Sequence, residues 1–274
     1  MPLSEAELLE AVRAGDRVAL ATLVERHAPA VYRFAAKMCR QAEDAEDVLQ
    51  ETLLSAARHL GDFRGDSQLT TWLYTVARSF CIKRRRTSKF APSETVSLEH
   101  SLEASVLASP ERSPEQAASE RETALELDRA LAELEPEQRE VLWLRDVEGL
   151  SAQEVSTVVD ASVAAVKSRL HRARVALRAK LAQEPAPPPG AAGACPDAAE
   201  SFSRHLEGEI GTEECRAMEE HLARCAHCRT ACESLRHTLE LCRASRVGVV
   251  PSPIQDKIRR ALGALTGPDP RASR

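Results

Sequence analysis

Apolar residues recur at three- and four-residue intervals along most of this 274-residue chain, the spacing that puts them on one face of an α-helix. Between Ser4 and Arg40 the pattern predicts two helices, the second with Leu20, Leu23, Val24, His27, Val31, Phe34 and Met38 on one side. Val48, Leu49, Thr52, Leu53, Ala56 and Leu60 form the apolar side of a third helix, and Glu43, Asp44, Glu46, Asp47 and Glu51 form its acidic patch. After the loop Phe63 to Ser67, a fourth helix is expected to carry Leu69, Trp72, Leu73, Val76 and Phe80 inward and to end in Lys83, Arg84, Arg85 and Arg86. No run of alternating β-branched residues argues for a sheet, so the expected class is all-α.

The periodicity lapses twice. Pro92, Pro110 and Pro114 stand among Ser, Ala and Glu in a stretch that reads as a flexible linker, and the Pro-rich run from Glu184 to Ala194 reads as a stiff one. The boundaries drawn are 1–90, a helical domain; 91–122, linker; 123–183, a helical domain; 184–194, linker; 195–243, a small Cys/His-rich domain; and 244–274, a tail. In the second domain Leu127, Leu131, Leu134, Val141, Leu142 and Leu144 are expected to cover a pair of helices between Ser151 and Leu181. Ser151 with Glu154 makes a capping box, Val159 to Ala161 make the turn, and Ser162 caps the second helix. That helix buries Val163, Val166, Leu170, Ala173, Leu177 and Leu181 and leaves Lys167, Arg169, Arg172, Arg174, Arg178 and Lys180 on its other sides. A short helix, a tight turn and a basic helix with small residues at its start suit insertion into a major groove. The tail offers one short amphipathic helix, Ile254 to Leu265, to which the sequence assigns no role.

Composition sharpens this picture in three ways. The chain is 43% hydrophobic but only 3% aromatic, and its net charge is -5, so the basic helix is a local feature. No apolar run approaches the ~20 residues that span a bilayer, and the acidic N-terminus is unlike a signal peptide, which leads to the expectation of a cytoplasmic protein without a membrane partner. No nucleophile, base and orienting group occur together, so an enzyme is not expected.

Six of the eight cysteines lie beyond residue 194, which in a reducing compartment points to metal or redox chemistry. His221, Cys225 and Cys228 form H-x3-C-x2-C, with Cys195 before them, a closed set of three thiolates and one imidazole. Cys232, four residues after Cys228, adds a fifth candidate ligand, whereas Cys215 and Cys242 share apolar stripes and are expected in the core. Such donors accept zinc, cadmium or copper.

Three stretches in this order, DAEDVLQETLLSA (44–56), FRGDSQLTTWLYTVARSF (63–80) and LSAQEVSTVVDASVAAVKSRLHRARVALR (150–178), resemble the extracytoplasmic-function (ECF) sigma factors of bacterial RNA polymerase. The resemblance covers roughly Leu20 to Arg86 and Asp128 to Leu181, with Ala57 and Ser79 standing where the family often has Trp and Asn. It implies two helical sigma domains, with Asp44, Asp47, Gln50 and Glu51 facing core RNA polymerase. Phe63, Arg64, Gly65, Asp66 and Ser67 would shape the pocket for a flipped minus-ten base. Arg78, Ser79, Lys83, Arg84 and Arg85 would hold the melted strand, and Ser162, Ala164, Ala165, Lys167, Ser168, His171 and Arg172 would read the minus-thirty-five element of promoter DNA. The tail domain resembles the zinc-binding anti-sigma fold, here fused to its target, and the whole resembles the metal-responsive CorE-like sigma factors. The implied function is promoter-specific transcription initiation under metal control, with no separate anti-sigma factor required. Two alternatives stay open: a zinc-thiol redox sensor, and a polymerase-binding regulator that does not initiate.

Overall fold

The computed structural model describes residues 3–39, 41–63, 65, 68–88, 114–181, 198–245 and 252–266, and no strand occurs among them. The chain forms two compact units, Met1–Glu111 together with Gly248–Arg274, and Arg112–Val247.

The first unit is built on α1 (Glu5–Arg13), α2 (Arg17–Met38), α3 (Ala42–His59) and α4 (Leu69–Ser88). Ser4 and Glu7 close a capping box on α1, and the Asp16 carboxylate accepts the Val18 and Ala19 amides at 2.7 and 3.1 Å to start α2. Leu23, Phe34, Val48, Leu53, Leu73, Tyr74 and Ala77 are buried where α2, α3 and α4 meet, with the Phe34 and Tyr74 rings 5.4 Å apart. The fourth helix is turned relative to expectation. Leu69, Leu73, Ala77 and Cys81 are its buried ridge, while Trp72, Val76 and Phe80 are only half-buried. Packing on α2 and α3 selects one i, i+4 row, and the neighbouring apolar row stays partly in solvent.

The second unit comprises α5 (Pro114–Ala132), α6 (Pro136–Leu142) continued by a π-helical turn (Trp143–Val147), α7 (Ala152–Val159), α8 (Val163–Leu181), α9 (Ala198–Leu206), α10 (Thr212–Arg224) and α11 (Ala226–Ala244). Helix α5 begins inside the stretch expected as linker through 122, with Pro114 at its first position, where a missing N–H costs nothing. The Ser151–Glu154 capping box forms, and the Ser162 hydroxyl accepts the Ala165 amide at 3.2 Å. Between these helices Asp160 adopts φ 51°, ψ 57°, a left-handed turn that a short polar side chain tolerates in place of glycine. Leu127, Leu131, Leu134, Val141, Leu142 and Leu144 are buried as expected, together with Val166, Leu170, Ala173 and Leu177 of α8.

Helices α9 to α11 share a core with α8. Phe202, Cys228, Cys232, Leu235 and Leu239 form a buried cluster, and Val175 of α8 packs against it beside Leu206, Met218, Leu222 and Cys225. After residue 247 the chain rejoins the first unit as α12 (Ser252–Thr266), which packs on α2 and α3 with Ile254 and Ile258 buried and Lys257 ion-paired to Glu46.

Candidate nucleic-acid interface and metal centre

The acidic arc of α3 meets cations from its own unit. Arg84 of α4 lies 2.7 Å from Asp47, 3.9 Å from Glu51 and 4.0 Å from Asp44, while Gln50 is exposed. Three of the expected polymerase residues therefore surround one guanidinium. Sequence reasoning assigns that guanidinium to DNA phosphate, because nothing local shows that α4 lies alongside α3.

Along α4 the half-buried Trp72, Val76 and Phe80 run beside half-buried Arg78 and Arg85 and exposed Ser79 and Lys83, an apolar ridge with flanking charge of the kind on which bases stack. Phe63 packs against Trp72 with ring centroids 6.0 Å apart, and its carbonyl accepts from Arg13 Nη2 at 2.8 Å. Gly65 adopts φ +81°, a conformation that strains other residues. Arg64, Asp66 and Ser67 lie outside the described residues. The Ser79 hydroxyl donates to the Val76 carbonyl at 2.7 Å, so part of its capacity is spent within its helix.

On α8, Ser162, Ala164, Ser168 and Arg172 are exposed, and Ala165, Lys167, Arg169 and His171 are half-buried. Arg174 is not on a solvated face as its position suggested. It is 2% exposed, makes a forked pair with Asp146 (Nη2–Oδ1 2.6 Å, Nε–Oδ2 2.8 Å), and donates to Glu207 at 2.8 Å and the Ser203 hydroxyl at 3.1 Å. Burial alone would lower its pKa, but the hydrogen bond and charge of Asp146, with those of Glu207, raise it, so the group stays a cation. Arg145 also donates to Glu207 at 3.1 Å, and Lys167 pairs with Glu209 at 3.1 Å. Periodicity could not reveal these contacts, because Asp146 precedes Arg174 by 28 residues and Glu207 follows it by 33.

The ligand atoms of His221, Cys225 and Cys228 lie within 4.8 Å of one another where α10 gives way to α11. His221 sits in the last turn of α10, Cys225 is the junction residue, and Cys228 is in the first turn of α11. His221 Nε2 is buried with no hydrogen-bond partner among the described residues, an orphaned acceptor that metal ligation would satisfy. One imidazole and two sulfurs fit zinc or a softer ion. Cys195, the expected fourth donor, lies outside the described residues. Cys232, the fifth candidate, lies in the same apolar cluster as Cys228, and its thiol donates to the Ala198 carbonyl at 3.5 Å on the side of α11 that meets α9. Cys215 is half-buried with its sulfur 3.2 Å from His205 Nδ1, so it is not a core residue, whereas Cys242 is fully buried as expected.

Comparison with known families agrees with this arrangement. The sigma-70 region 2 family matches residues 23–90, the sigma-70 region 4 family matches 124–177, and a zinc-finger family matches 195–229. The chain is thus a sigma-70-class protein with a zinc-finger segment. It is 37% identical over 174 residues to the ECF sigma factor SigM of Mycobacterium tuberculosis, covering 64% of this chain and 83% of the relative. It is 32% identical over 177 residues to the sigma-H factor of Pseudomonas aeruginosa (62% and 90% covered) and 30% identical over 183 residues to the sigma-E factor of Escherichia coli (65% and 95%). The protein belongs to the ECF RNA polymerase sigma factor family, whose members direct RNA polymerase.

Among solved structures it is similar to CnrH in complex with the cytosolic domain of CnrY (26% identity, TM-score 0.46, 65% of this chain and 97% of that one). A second is the sigma factor RpoE in complex with the anti-sigma factor NepR from Bartonella quintana (24%, 0.45, 60% and 95%). Each was solved with a second protein bound. No described helix is long and apolar enough to cross a membrane.

Proposed function

We propose that this sigma factor is controlled by metal bound at His221, Cys225, Cys228 and Cys195, and that its surfaces divide the work of initiation. The α3 arc docks core polymerase, Phe63 to Ser67 and the α4 ridge take the melted minus-ten strand, and α8 reads the minus-thirty-five element. The observation that carries metal control is the shared core: Cys228 belongs to the cluster against which Cys225 and Val175 of α8 both pack.

When bound, the ion supplies a cross-link among these donors, and occupancy of such sites contributes folding free energy that reaches ~10 kcal/mol in small domains. The protein does the rest. His221 and Cys225 fix the end of α10 to the start of α11, Cys228 orients the first turn of α11, and Leu235 and Leu239 carry that orientation to α9 and α8. Loosening this knuckle shifts the packing beneath the promoter-reading helix.

Transcription from sheared genomic DNA of the source bacterium, with core polymerase and sequencing of RNA 5′ ends, tests both claims. The expected result is a set of protein-dependent starts behind one pair of sequence elements, with an output that differs between chelator and zinc, cadmium or copper. Loss of that difference in Cys225→Ala with Cys228→Ala supports the sensor reading, and an unchanged metal response in that variant refutes it. Polymerase binding without any protein-dependent start, under every metal condition, would instead identify a non-initiating regulator.

A further inference from the structure

We infer that Glu207 and Glu209, on the turn between α9 and α10, form a carboxylate decoy that occupies the cations of α8 in place of DNA phosphate. This rests on the reading of α8 as the promoter helix. Backbone hydrogen bonds close the turn: the Glu207 and Glu209 amides both donate to the Arg204 carbonyl (3.1 and 3.0 Å), the Gly208 amide donates to that of His205 (2.9 Å), and Gly208 takes φ +67°. Its two acids are differently placed. The Glu207 side chain is 5% exposed and held by Arg174 and Arg145, whereas Glu209 and Lys167 are 31% and 25% exposed at their 3.1 Å contact.

Glu207 is therefore the anchor, since withdrawing it strands a buried guanidinium. Glu209 is the exchangeable arm, because a solvent-accessible pair of this kind contributes little stability and yields to a competing anion. Lys167 lies beside the exposed Ala164 and Ser168 in the first turns of α8. A phosphate competes with Glu209 for its ammonium, and the carboxylate charge opposes the approach of a second anion. The tail domain thus opposes DNA through one defined ion pair, and DNA opposes the tail through the same lysine.

The test uses the full-length, zinc-saturated protein and a 30-base-pair duplex of random sequence, with affinity measured by fluorescence anisotropy across a KCl series. Glu209→Gln is expected to tighten binding about five- to tenfold at ~0.1 M salt and to steepen the salt dependence by about one unit, the signature of one added phosphate contact. Glu213→Gln, the same charge change at a residue paired with the exposed Arg216, is expected to leave both unchanged. In a Lys167→Ala background Glu209→Gln should have no effect. Weaker binding in Lys167→Ala with no change in Glu209→Gln overturns the decoy while leaving the α8 reading intact. No loss of affinity on adding Lys167→Ala to Glu209→Gln overturns that reading and the decoy with it. Equal tightening by Glu209→Gln with and without Lys167, or by Glu213→Gln, reduces the effect to net charge and also overturns the decoy.

Discussion

The two basic helices look alike as text and differ as physics. The end of α4 (Lys83 to Arg86) and the length of α8 (Lys167 to Lys180) are both runs of Lys and Arg following an apolar stripe, and both contain an arginine held by acids of the same chain. Arg84 meets Asp47, Glu51 and Asp44 at the surface, with 36% of its side chain in solvent. Arg174 meets Asp146 and Glu207 at 2% exposure. An exposed pair contributes about 0–1 kcal/mol, whereas removing one partner of a buried pair costs about 3–5 kcal/mol because a desolvated charge is left behind. Burial, which the list of charges does not display, decides which arginine is available to a partner and which is architecture.

The largest effect that could break this contrast is on stability. Arg174→Ala is expected to destabilise the second unit by about 3–5 kcal/mol in urea denaturation, and Arg84→Ala the first by no more than about 1 kcal/mol. Equal losses would mean that the two pairs are energetically alike.

A second measurement reads the same buried site chemically. Cys242 lies close to Arg174 and Asp146, and burial, with the Asp146 carboxylate adding to it, pushes its thiol up to about 12. At pH 8 it should be inert to iodoacetamide except through opening of the unit. If Arg174→Ala removes ~3 kcal/mol, the alkylation rate at Cys242 should rise on the order of a hundredfold. An unchanged rate would place Cys242 outside the cooperative core.

The exposed pair should matter for binding rather than folding. Asp47→Lys is expected to leave the first unit folded, within about 1 kcal/mol of the unsubstituted protein, while abolishing capture of core polymerase in a pull-down. Normal capture by the folded variant would remove the α3 arc from the polymerase surface.

What the sequence disclosed and concealed follows the same division. The placement of the helices within 4–86 and 151–181, the Ser151 cap, the turn at Asp160 and the His221–Cys225–Cys228 knuckle all depend on spacings of a few residues and were legible, whereas the start of α5 at Pro114 was not. The rotation of α4 was not, because Trp72/Val76/Phe80 and Leu73/Ala77/Cys81 are equally good helical rows until the neighbouring helices choose one. The Arg174 cluster and the contact of Cys232 with Ala198 were hidden for a related reason. Each depends on a partner brought in by tertiary packing, Glu207 in one case and Ala198 in the other. The docking of α12 through Ile254, Ile258 and Lys257 was equally invisible, since its face on α2 and α3 is far away in sequence.

The smallest expected effect concerns a third basic group, buried like Arg174, in which burial wins instead of the acid. His27 on α2 is 8% exposed, and its Nε2 lies 3.1 Å from Glu5 Oε2. Burial lowers its pKa from the ordinary 6.5, and the Glu5 carboxylate only partly offsets this. Glu5 is 40% exposed and its charge is screened by water, unlike the enclosed Asp146 and Glu207 that keep Arg174 charged. The sign of the pH dependence follows. Above 6.5 His27 is neutral in both folded and unfolded chains and its full contribution is present. Between 6.5 and the lower folded value the unfolded chain binds the proton and the folded one does not, so each step down in pH favours unfolding. Below the folded value the loss is complete. The urea midpoint of the first unit is therefore expected to fall as pH drops below the ordinary histidine value, and His27→Gln should flatten that part of the profile. A midpoint that rises with acid over the same window in the unsubstituted protein would show that Glu5 outweighs burial, making His27 a second Arg174.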